Sequence, residues 1–391
     1  MRNPKLGGPR LILAPDKFKA TLTAAEAAAA MAAGARRALP TAELVQLPVA
    51  DGGDGTVAAA ICAGAQARQV SVRDALGRPV SARYAVLGDT AIVESAQACG
   101  LDRVPVTPDS ALGSHSAGVG DLIAAALADG CRELVIGLGG SACTDGGAGM
   151  ARALGVRMTD GAGRELPYGG GALTELAAID IAGLEPRLRQ CTVRIACDVT
   201  NPLLGAAGAA AVFGPQKGAG PAEVRRLAAG LVNYAEQVRQ ACGIDIGRLP
   251  GGGAAGGLAA GLVAFAGGQI GSGSDYLLRL LGFAELLAGS ALVLTGEGCL
   301  DEQSLAGKAP AGVARLAGRH GVPVLAVAGR VRLTPAALAG AGFAAAYSLT
   351  DLLGADRAER DAANALAEVT EQAVRQWDNR VLGAAAGRSA G

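Results

Sequence analysis

The chain of 391 residues has few aromatic side chains and no excess of either charge. Aromatic residues make up 3% of it, with a single Trp, and 35 Lys and Arg residues balance 35 Asp and Glu residues. Without a block of like charges, the sequence offers no electrostatic surface for nucleic acid or anionic lipid. We therefore expect small molecules as partners, and no nucleic acid or membrane. No motif indicates the oligomeric state.

Cysteine pairs, long apolar runs and a leader peptide are also missing. The eight cysteines are scattered without a C-x-x-C pair, which argues against a zinc site and favours a reducing compartment. No apolar run reaches the roughly 18 residues of a membrane helix, and residues 1–10 lack the apolar core of a signal peptide. The sequence thus predicts a cytoplasmic protein with a disordered tail at residues 1–9.

Strand-like runs that end in Gly, Asp or Pro alternate with Ala-rich helical stretches. This alternation is typical of βαβ units around a parallel sheet. The first unit has a strand at 10–14, followed by a helix that begins with the capping box Thr23 and Glu26 and ends before Pro40.

The middle of the chain has a different pattern. From about residue 68, apolar and polar residues alternate about the turn LGRP, which predicts an antiparallel hairpin, and parallel α/β texture returns near residue 290. The predicted fold class is α/β with two α/β domains. Residues 10–67 and 271–391 would form a Rossmann-like parallel-sheet domain, and residues 68–270 a second α/β domain inserted into it.

Five polar or glycine-rich loops follow predicted strands. Ligands of open parallel sheets bind at the carboxyl ends of the strands, so we expect these loops to converge on one cleft. They are APDKFKAT (14–21), ADGGDGT (50–56), GGSACTDGG (139–147), CDVTNPL (197–203) and TGEGCLDEQSLAGKAP (295–310).

The last of these loops combines carboxylates and a lysine with glycines. It is not a Walker A loop, because Glu302 and Ala309 occupy positions where that motif needs Gly and Ser or Thr. Glu297 and Asp301 could hold Mg²⁺ directly or through water, and Lys308, just before a helix that starts near Pro310, could contact a phosphate.

Two other segments carry candidate polar groups. Asp198 and Asn201 follow a predicted buried strand, where a carboxylate could accept a proton or hold a metal, although a capping Asp in an Asn-Pro turn is the alternative. Lys217, in FGPQKG, could meet a substrate carboxylate or phosphate, or could be solvated.

Alternative functions depend on two short patterns. GLGGSA (137–142) fits the G-x-G-x-x-A dinucleotide fingerprint with Asp160 further on, so an NAD-dependent dehydrogenase of a small hydroxy acid is one alternative. His115 lies between two serines, but no G-x-S-x-G elbow supports a hydrolase triad. Lysines, glycine amides and carboxylates together favour phosphoryl transfer.

Seven motifs in order resemble the bacterial type-1 glycerate kinases. They are APDKFK, LPVADGGDGT, GGSACTDGGAGM, CDVTNPL, FGPQKGA, GGGAAGGL and TGEGCLDEQSLAGKAP, and the resemblance covers about residues 10 to 350. It implies an ATP- and Mg²⁺-dependent kinase of D-glycerate that forms phosphoglycerate, with 2-phosphoglycerate favoured and 3-phosphoglycerate possible. A non-catalytic sugar-acid sensor on the same fold would lack the acidic motif residues and carry a DNA-binding segment.

The motifs also imply site residues, although they do not identify the catalytic base. The catalytic candidates are Asp198, Lys308 and Asp301, and the metal candidates are Glu297 and Asp301. Cys299 stands where similar sequences usually have Arg, a cation that Lys17 could partly replace. The candidates for substrate or nucleotide binding are Asp16, Lys17, Lys19, Asp51, Gly52, Gly53, Asp54, Gly139, Gly140, Ser141, Asp145, Asn201, Lys217, Glu297 and Gly298.

Overall fold

The structure is a computed structural model that describes residues 8–305 and 307–388. Strands and helices alternate through most of this part of the chain. The strands are β1 (Arg10–Leu13), β2 (Glu43–Gln46), β3 (Gln66–Arg73), β4 (Pro79–Leu87), β5 (Thr90–Glu94), β6 (Glu133–Gly137), β7 (Arg157–Asp160), β8 (Leu176–Asp180), β9 (Thr192–Ala196), β10 (Gln269–Gly271), β11 (Ser290–Thr295), β12 (Cys299–Leu300), β13 (Val324–Ala328), β14 (Arg330–Val331) and β15 (Ala345–Ser348).

The helices range from single turns to a long carboxyl-terminal helix. They are α1 (Ala24–Ala38), α2 (Thr56–Cys62), α3 (Ala96–Cys99), α4 (Pro108–Gly113), α5 (Ala117–Ala128), α6 (Ala148–Ala153), α7 (Ala209–Phe213), α8 (Pro221–Cys242), α9 (Leu258–Ala266), α10 (Gly273–Leu280), α11 (Phe283–Leu287), α12 (Glu302–Leu305), α13 (Ala309–Arg319), α14 (Pro335–Gly340), α15 (Leu349–Leu353), α16 (Ala355–Arg360) and α17 (Ala362–Arg388). No helix in the described ranges is long and apolar enough to cross a membrane.

The chain divides into two compact units. Unit 1 consists of the residues up to Asp51 and those from Leu277 onward, and unit 2 is Gly52–Tyr276. Each unit is an α/β structure around its own sheet, which confirms the predicted fold class. The predicted domain boundaries, at 67/68 and 270/271, lie 16 and 6 residues from this division; as limits of independent domains they stay a prediction.

Unit 1 has a doubly wound parallel sheet. Its five strands lie in the order β15-β13-β11-β1-β2, and every neighbouring pair is parallel. The chain moves outward from β1 to β2 and later returns on the other side of β1 with β11. The strand order therefore reverses between β1 and β11, and the carboxyl ends of these two strands form the topological switch point where such sheets bind ligands.

Apolar residues on both faces of the strands explain why this sheet is buried. Leu11 and Leu13 lie on one face of the sheet and contribute to a core with α1 and α17. Ile12 and Val293 lie on the other face and are also fully buried. The capping box predicted at the start of α1 is present: the Thr23 hydroxyl accepts the Glu26 amide, and the Glu26 carboxylate accepts the Thr23 amide.

Unit 2 has a mixed six-stranded sheet in the order β10-β9-β6-β5-β4-β3. The hairpin predicted from about residue 68 is the antiparallel pair β3 and β4, while β5, β6, β9 and β10 are parallel. The carboxyl ends of the parallel strands meet at one edge of the sheet and supply the loops that carry the predicted polar residues.

The predicted tail at residues 1–9 is described only in part. Residues 1–7 lie outside the described part of the chain. The Pro9 carbonyl accepts a hydrogen bond from the Glu43 amide at 3.1 Å, and Gly8 lies against Thr41. The packed chain of unit 1 therefore begins before Arg10.

Candidate functional site

Unit 1 contains a cavity of about 540 Å³ where β1 and β11 end. Beyond the strands, the two chain segments stay side by side: the Asp16 amide donates to the Gly296 carbonyl at 2.8 Å, and the Thr295 hydroxyl donates to the Ala14 carbonyl at 2.7 Å. The cavity thus lies at the switch point of the sheet, where a ligand is expected.

The cavity brings together every site residue that the sequence predicted within unit 1. They come from the loops after β1, β2 and β11, which are separated in sequence but adjacent in the sheet. These residues are Asp16, Lys17, Lys19, Asp51, Glu297, Gly298, Asp301 and Lys308. Their placement fits a binding function, which stays a prediction.

Asp16 is a buried carboxylate with nearby negative charges. The residue is 6% exposed, and Oδ1 accepts the Lys17 amide at 2.6 Å. Burial, followed by the charges of Asp51 and Glu297, raises the pKa of Asp16 to about 7. Near neutral pH this carboxyl group can therefore exchange a proton, or it can hold its charge when a cation is close.

Glu297 is also buried, and its hydrogen bonding is incomplete. Oε1 has no hydrogen-bond partner among the described residues, and Oε2 lies 3.8 Å from the Lys308 ammonium. Burial raises the pKa of Glu297, and the nearby Lys308 charge opposes that rise. A buried carboxylate oxygen without a donor is expected to have a partner that the protein alone does not supply, such as a cation.

Asp301 has one oxygen that stabilises local structure. Oδ1 accepts the amides of Gln303 and Ser304 at 3.0 and 3.2 Å, so it caps α12. Oδ2 has no part in this cap and lies 3.9 Å from the Cys299 thiol. The cap fixes the orientation of the carboxylate, and Oδ2 is the oxygen that could bind a ligand.

Lys308 is the N-cap residue of α13, and Pro310 follows in the first turn of the helix, as the sequence predicted. The Lys308 side chain does not cap the helix; it pairs loosely with Glu297 rather than with Asp301 and is 33% exposed. Lys308 directly precedes the first turn of α13, whose backbone amides point away from the helix N-terminus. The ammonium and the helix N-terminus therefore both favour an anion there.

The cavity wall includes two arginines that the sequence analysis missed, Arg330 and Arg332. They follow β13, and the short parallel pair of β12 and β14 places them beside the acidic loop, with Cys299 opposite Arg330. Their position directly after a predicted strand, at the carboxyl end of a parallel sheet, was the signal that could have identified them.

In unit 2, two predicted glycine loops lie in close contact near the ends of β6 and β9. A Cβ on Gly139 would lie 2.5 Å from the Gly53 Cα, and a Cβ on Gly140 would lie 2.6 Å from Asp54 Oδ1. Gly52 has a φ of 89°, and a Cβ at this position would lie 2.6 Å from the Cβ of Ala196, the last residue of β9. Only glycine fits this approach, which leaves backbone amides as the main polar groups of the loops.

Asp145 is enclosed in the protein and satisfied by internal hydrogen bonds. Its side chain is buried, Oδ2 accepts the amide and hydroxyl of Ser116 and the amide of Gly149, and Oδ1 accepts the amide of Gly147. These bonds tie the loop before α6 to the start of α5. Asp145 is thus placed to support the loop, and direct contact with a ligand stays a prediction.

Lys217 is buried in unit 2, which excludes the solvated alternative. Its ammonium donates to the Cys143 carbonyl at 2.6 Å and lies 3.5 Å from the Ser141 hydroxyl. Burial lowers the pKa of Lys217. The lysine therefore places a hydrogen-bond donor on the interior side of the glycine loop that contains Ser141.

Asp198 and Asn201 follow β9, as predicted. Asp198 Oδ1 accepts the Gly273 amide at 3.3 Å, and the Asn201 side-chain amide donates to the Ala207 carbonyl at 2.9 Å. The second bond closes a local turn, so Asn201 has a structural function in this loop. The predicted convergence of the loops of unit 1 and unit 2 on one cleft stays a prediction.

The patterns behind the alternative functions lack the structural context they require. The dinucleotide fingerprint needs a helix that opens directly from the glycine loop, but α6 begins only at Ala148, and Asp160 ends β7, which pairs antiparallel with β8 in a separate sheet. His115 is buried against the Tyr168 ring, and its Nδ1 accepts the Ala117 amide. Neither a dinucleotide site nor a serine hydrolase triad is formed by these residues.

Comparisons with known proteins agree on one family. The model of the glycerate kinase family matches residues 11–378. Glycerate 2-kinase of Escherichia coli (strain K12) is 44% identical over 349 residues, which cover 88% of this chain and 91% of that protein. Glycerate kinase of Halalkalibacterium halodurans is 43% identical over 342 residues, or 87% and 90% of the two chains. A crystal structure from Salmonella typhimurium LT2, provisionally titled glycerate kinase 2, has a TM-score of 0.85 at 40% identity and covers 96% of this chain and 100% of that one.

Proposed function

The chain belongs to the glycerate kinase family, and we propose that it transfers the γ-phosphoryl group of ATP to D-glycerate, forming 2-phosphoglycerate. The observation that supports this proposal most directly is the unit 1 cavity, which combines lysines and carboxylates at the switch point of a parallel sheet. The 2-hydroxyl is favoured because the Escherichia coli relative is named a glycerate 2-kinase. The cytoplasmic location inferred from the sequence stays a prediction.

Phosphoryl transfer depends on placing the phosphates and neutralising their charge. We assign this part to Lys308 and the first turn of α13, with Lys17 and Lys19 on the loop after β1. Lys308 would approach the transferring group as a point charge, while the helix amides contribute hydrogen bonds. The shared position of ammonium and helix N-terminus supports this assignment.

The carboxylates of the same cavity fit Mg²⁺. This cation prefers oxygen ligands and is commonly bound by one or two carboxylates together with water and substrate phosphates. Glu297 Oε1, which has no hydrogen-bond partner among the described residues, and Asp301 Oδ2 could hold the ion. The described residues contain no preformed group of three or more candidate ligands, so water and nucleotide oxygens would have to complete the coordination. When bound, Mg²⁺ would neutralise charge on the phosphate oxygens.

The attacking hydroxyl of glycerate must lose its proton. We assign Asp198 as the acceptor, because it lies two residues after the end of β9 and the Gly273 amide orients its carboxylate. Asp16 is a second candidate, since a base works best when its pKa is near the working pH, and the pKa of Asp16 is about 7. Asp51 would then act through its charge on Asp16.

The glycine loops of unit 2 would bind an anionic oxygen through backbone amides. Gly52, Gly53, Gly139 and Gly140 bring backbone close together without side chains, and Asp54 and Ser141 lie within the same loops. Asp145 and Lys217 would hold these loops in place from the interior. Asn201 and Gly298 would position the segments that follow β9 and β11.

The test is a coupled assay of ADP release with ATP and D-glycerate, combined with phosphorus NMR of the product. We expect turnover that needs a divalent cation and stops on addition of EDTA, with the phosphate on the 2-hydroxyl. L-glycerate and other small hydroxy acids serve as control acceptors. Absence of turnover with Mg²⁺ present would refute the activity, and a product that is only 3-phosphoglycerate would refute the regiochemistry alone.

A further inference from the structure

Two arginines line the unit 1 cavity, but only one of them has an ionic partner among the described residues. The Arg330 guanidinium lies 3.1 Å from the Glu359 carboxylate, at a pair that is largely exposed. Arg332 lines the same cavity and forms no ion pair within the described part of the chain. Its guanidinium is thus available to an anion from solution.

The backbone around Arg332 is held in place by the loop that carries the proposed metal ligands. The Arg332 amide donates to the Leu300 carbonyl at 2.9 Å, and the preceding Gly329 and Arg330 amides donate to the backbone carbonyls of Glu297 and Gly298. These hydrogen bonds fix the Arg332 Cα relative to Glu297, so the side chain extends from a defined point of the backbone beside the acidic loop. Only the side chain must be ordered when a ligand binds.

The charges of the cavity indicate what kind of ligand Arg332 could bind. Five carboxylates and five cationic side chains line it, the latter being Lys17, Lys19, Lys308, Arg330 and Arg332. A ligand that suits both sets carries several negative charges and arrives with a cation. A nucleoside triphosphate with Mg²⁺ has this composition, whereas glycerate has a single carboxylate.

We propose that Arg332 binds the phosphate chain of ATP, an inference that rests on the proposed function of the cavity. Guanidinium presents two parallel N–H donors that match two oxygens of a phosphate, a geometry that the Lys308 ammonium cannot provide. Arg332 would therefore orient the chain through a bidentate contact, while Lys308 acts on the group that is transferred. Arg332 is a binding residue and takes no part in the bond exchange.

The test compares Arg332→Gln and Arg332→Lys with the control Arg319→Gln. Arg319 is an exposed arginine at the end of α13 and does not line the cavity. For Arg332→Gln we expect the KM for ATP to rise about tenfold, equivalent to about 1.4 kcal/mol, with an unchanged KM for glycerate and an unchanged melting temperature. Arg332→Lys should recover part of the affinity, and the control should behave like the wild type.

Calorimetric titration with ATP and with adenosine makes the inference testable apart from activity. The Kd for ATP should rise about tenfold in Arg332→Gln, while adenosine binding stays the same because adenosine has no phosphate. An unchanged Kd for ATP, an equal loss for adenosine, or a change only in the KM for glycerate would overturn the inference. If the wild type binds ATP but does not phosphorylate glycerate, the proposed function fails, and these titrations still decide the assignment of Arg332.

Discussion

Replacing Lys308 by alanine should reduce turnover far more than stability. In the proposed site the ammonium stabilises negative charge that grows on the transferring phosphoryl group. Removal of one preorganised charge stabiliser typically raises the activation free energy by about 2.7–4 kcal/mol, a loss of roughly 10²–10³ in kcat. Because Lys308 is also the N-cap residue of α13, its backbone conformation stays available to alanine, and the helix should still form.

The structure sets a limit on the loss of stability. The Lys308 ammonium lies 3.8 Å from Glu297 Oε2, where two charges attract with roughly 4 kcal/mol at an effective dielectric constant of 20. The Lys308 side chain is 33% exposed, so solvent screening brings the net contribution toward the ~1 kcal/mol of a surface pair. Glu297, whose pKa burial already raises, can also take up a proton when the lysine is absent. We expect the melting temperature to fall by about 2–4 °C.

The measurement is steady-state kinetics of Lys308→Ala at saturating ATP and D-glycerate, together with a thermal melt. Lys308→Arg keeps a positive charge and should retain part of the turnover. Arg319→Ala, at the other end of the same helix, is the control for loss of an exposed cation. Near-normal kcat in Lys308→Ala would refute the catalytic assignment, and so would a melt that shows the protein no longer folds as the wild type does.

Two further substitutions test how buried carboxylates affect stability. Burial and like charges raise the pKa of Asp16 from 3.8 to about 7, so the folded state binds this proton more tightly and its stability falls as the pH rises from about 4 to 7. Asp16→Asn removes this effect, and in metal-free buffer the variant should gain up to about 4 kcal/mol over the wild type at pH 8 but little at pH 4; an equal difference at both pH values would contradict the environment described for Asp16. Asp145→Ala leaves the amides of Ser116, Gly147 and Gly149 buried without their acceptor, at about 1–3 kcal/mol each. Its melting temperature should fall far more than that of Asp109→Ala, an exposed control, and similar melts for the two variants would show that Asp145 does not support the loop.

Local sequence signals predicted the secondary structure near the site well, but they could not predict the strand order. Three of these signals each span only a few residues of sequence, and each predicted feature is present in the structure. They are the capping box at Thr23, the proline in the first turn of α13 and the apolar run of β11. The placement of β11 next to β1 joins segments about 280 residues apart. It depends on packing of whole layers, which no local pattern encodes, so the switch point became visible only in the structure.

The same distinction applies to the site. Motif positions predicted eight of the residues that line the unit 1 cavity, because the loops after parallel strands collect at one edge of the sheet. Arg332 was missed because the pairing of β12 with β14, which places it at the cavity, joins two short segments that no local pattern connects; its position after a predicted strand was the only signal. Sequence could not reveal that Lys217 is enclosed, since a lysine in a glycine-proline loop is usually solvated.

Asp16 and Asp145 show why hydrogen bonding, rather than residue type, separates a carboxylate that needs a ligand from one that supports the fold. Both are buried aspartates in polar loops. Asp145 accepts four hydrogen bonds from its own loop and from Ser116, so its oxygens are satisfied within the protein. Asp16 accepts the Lys17 amide, and its burial, together with the nearby carboxylates of Asp51 and Glu297, raises its pKa. The free energy that unit 1 loses by holding these carboxylates together would be recovered when a cation enters the cavity, so in the proposed site this local instability would favour the binding of Mg²⁺ with its nucleotide.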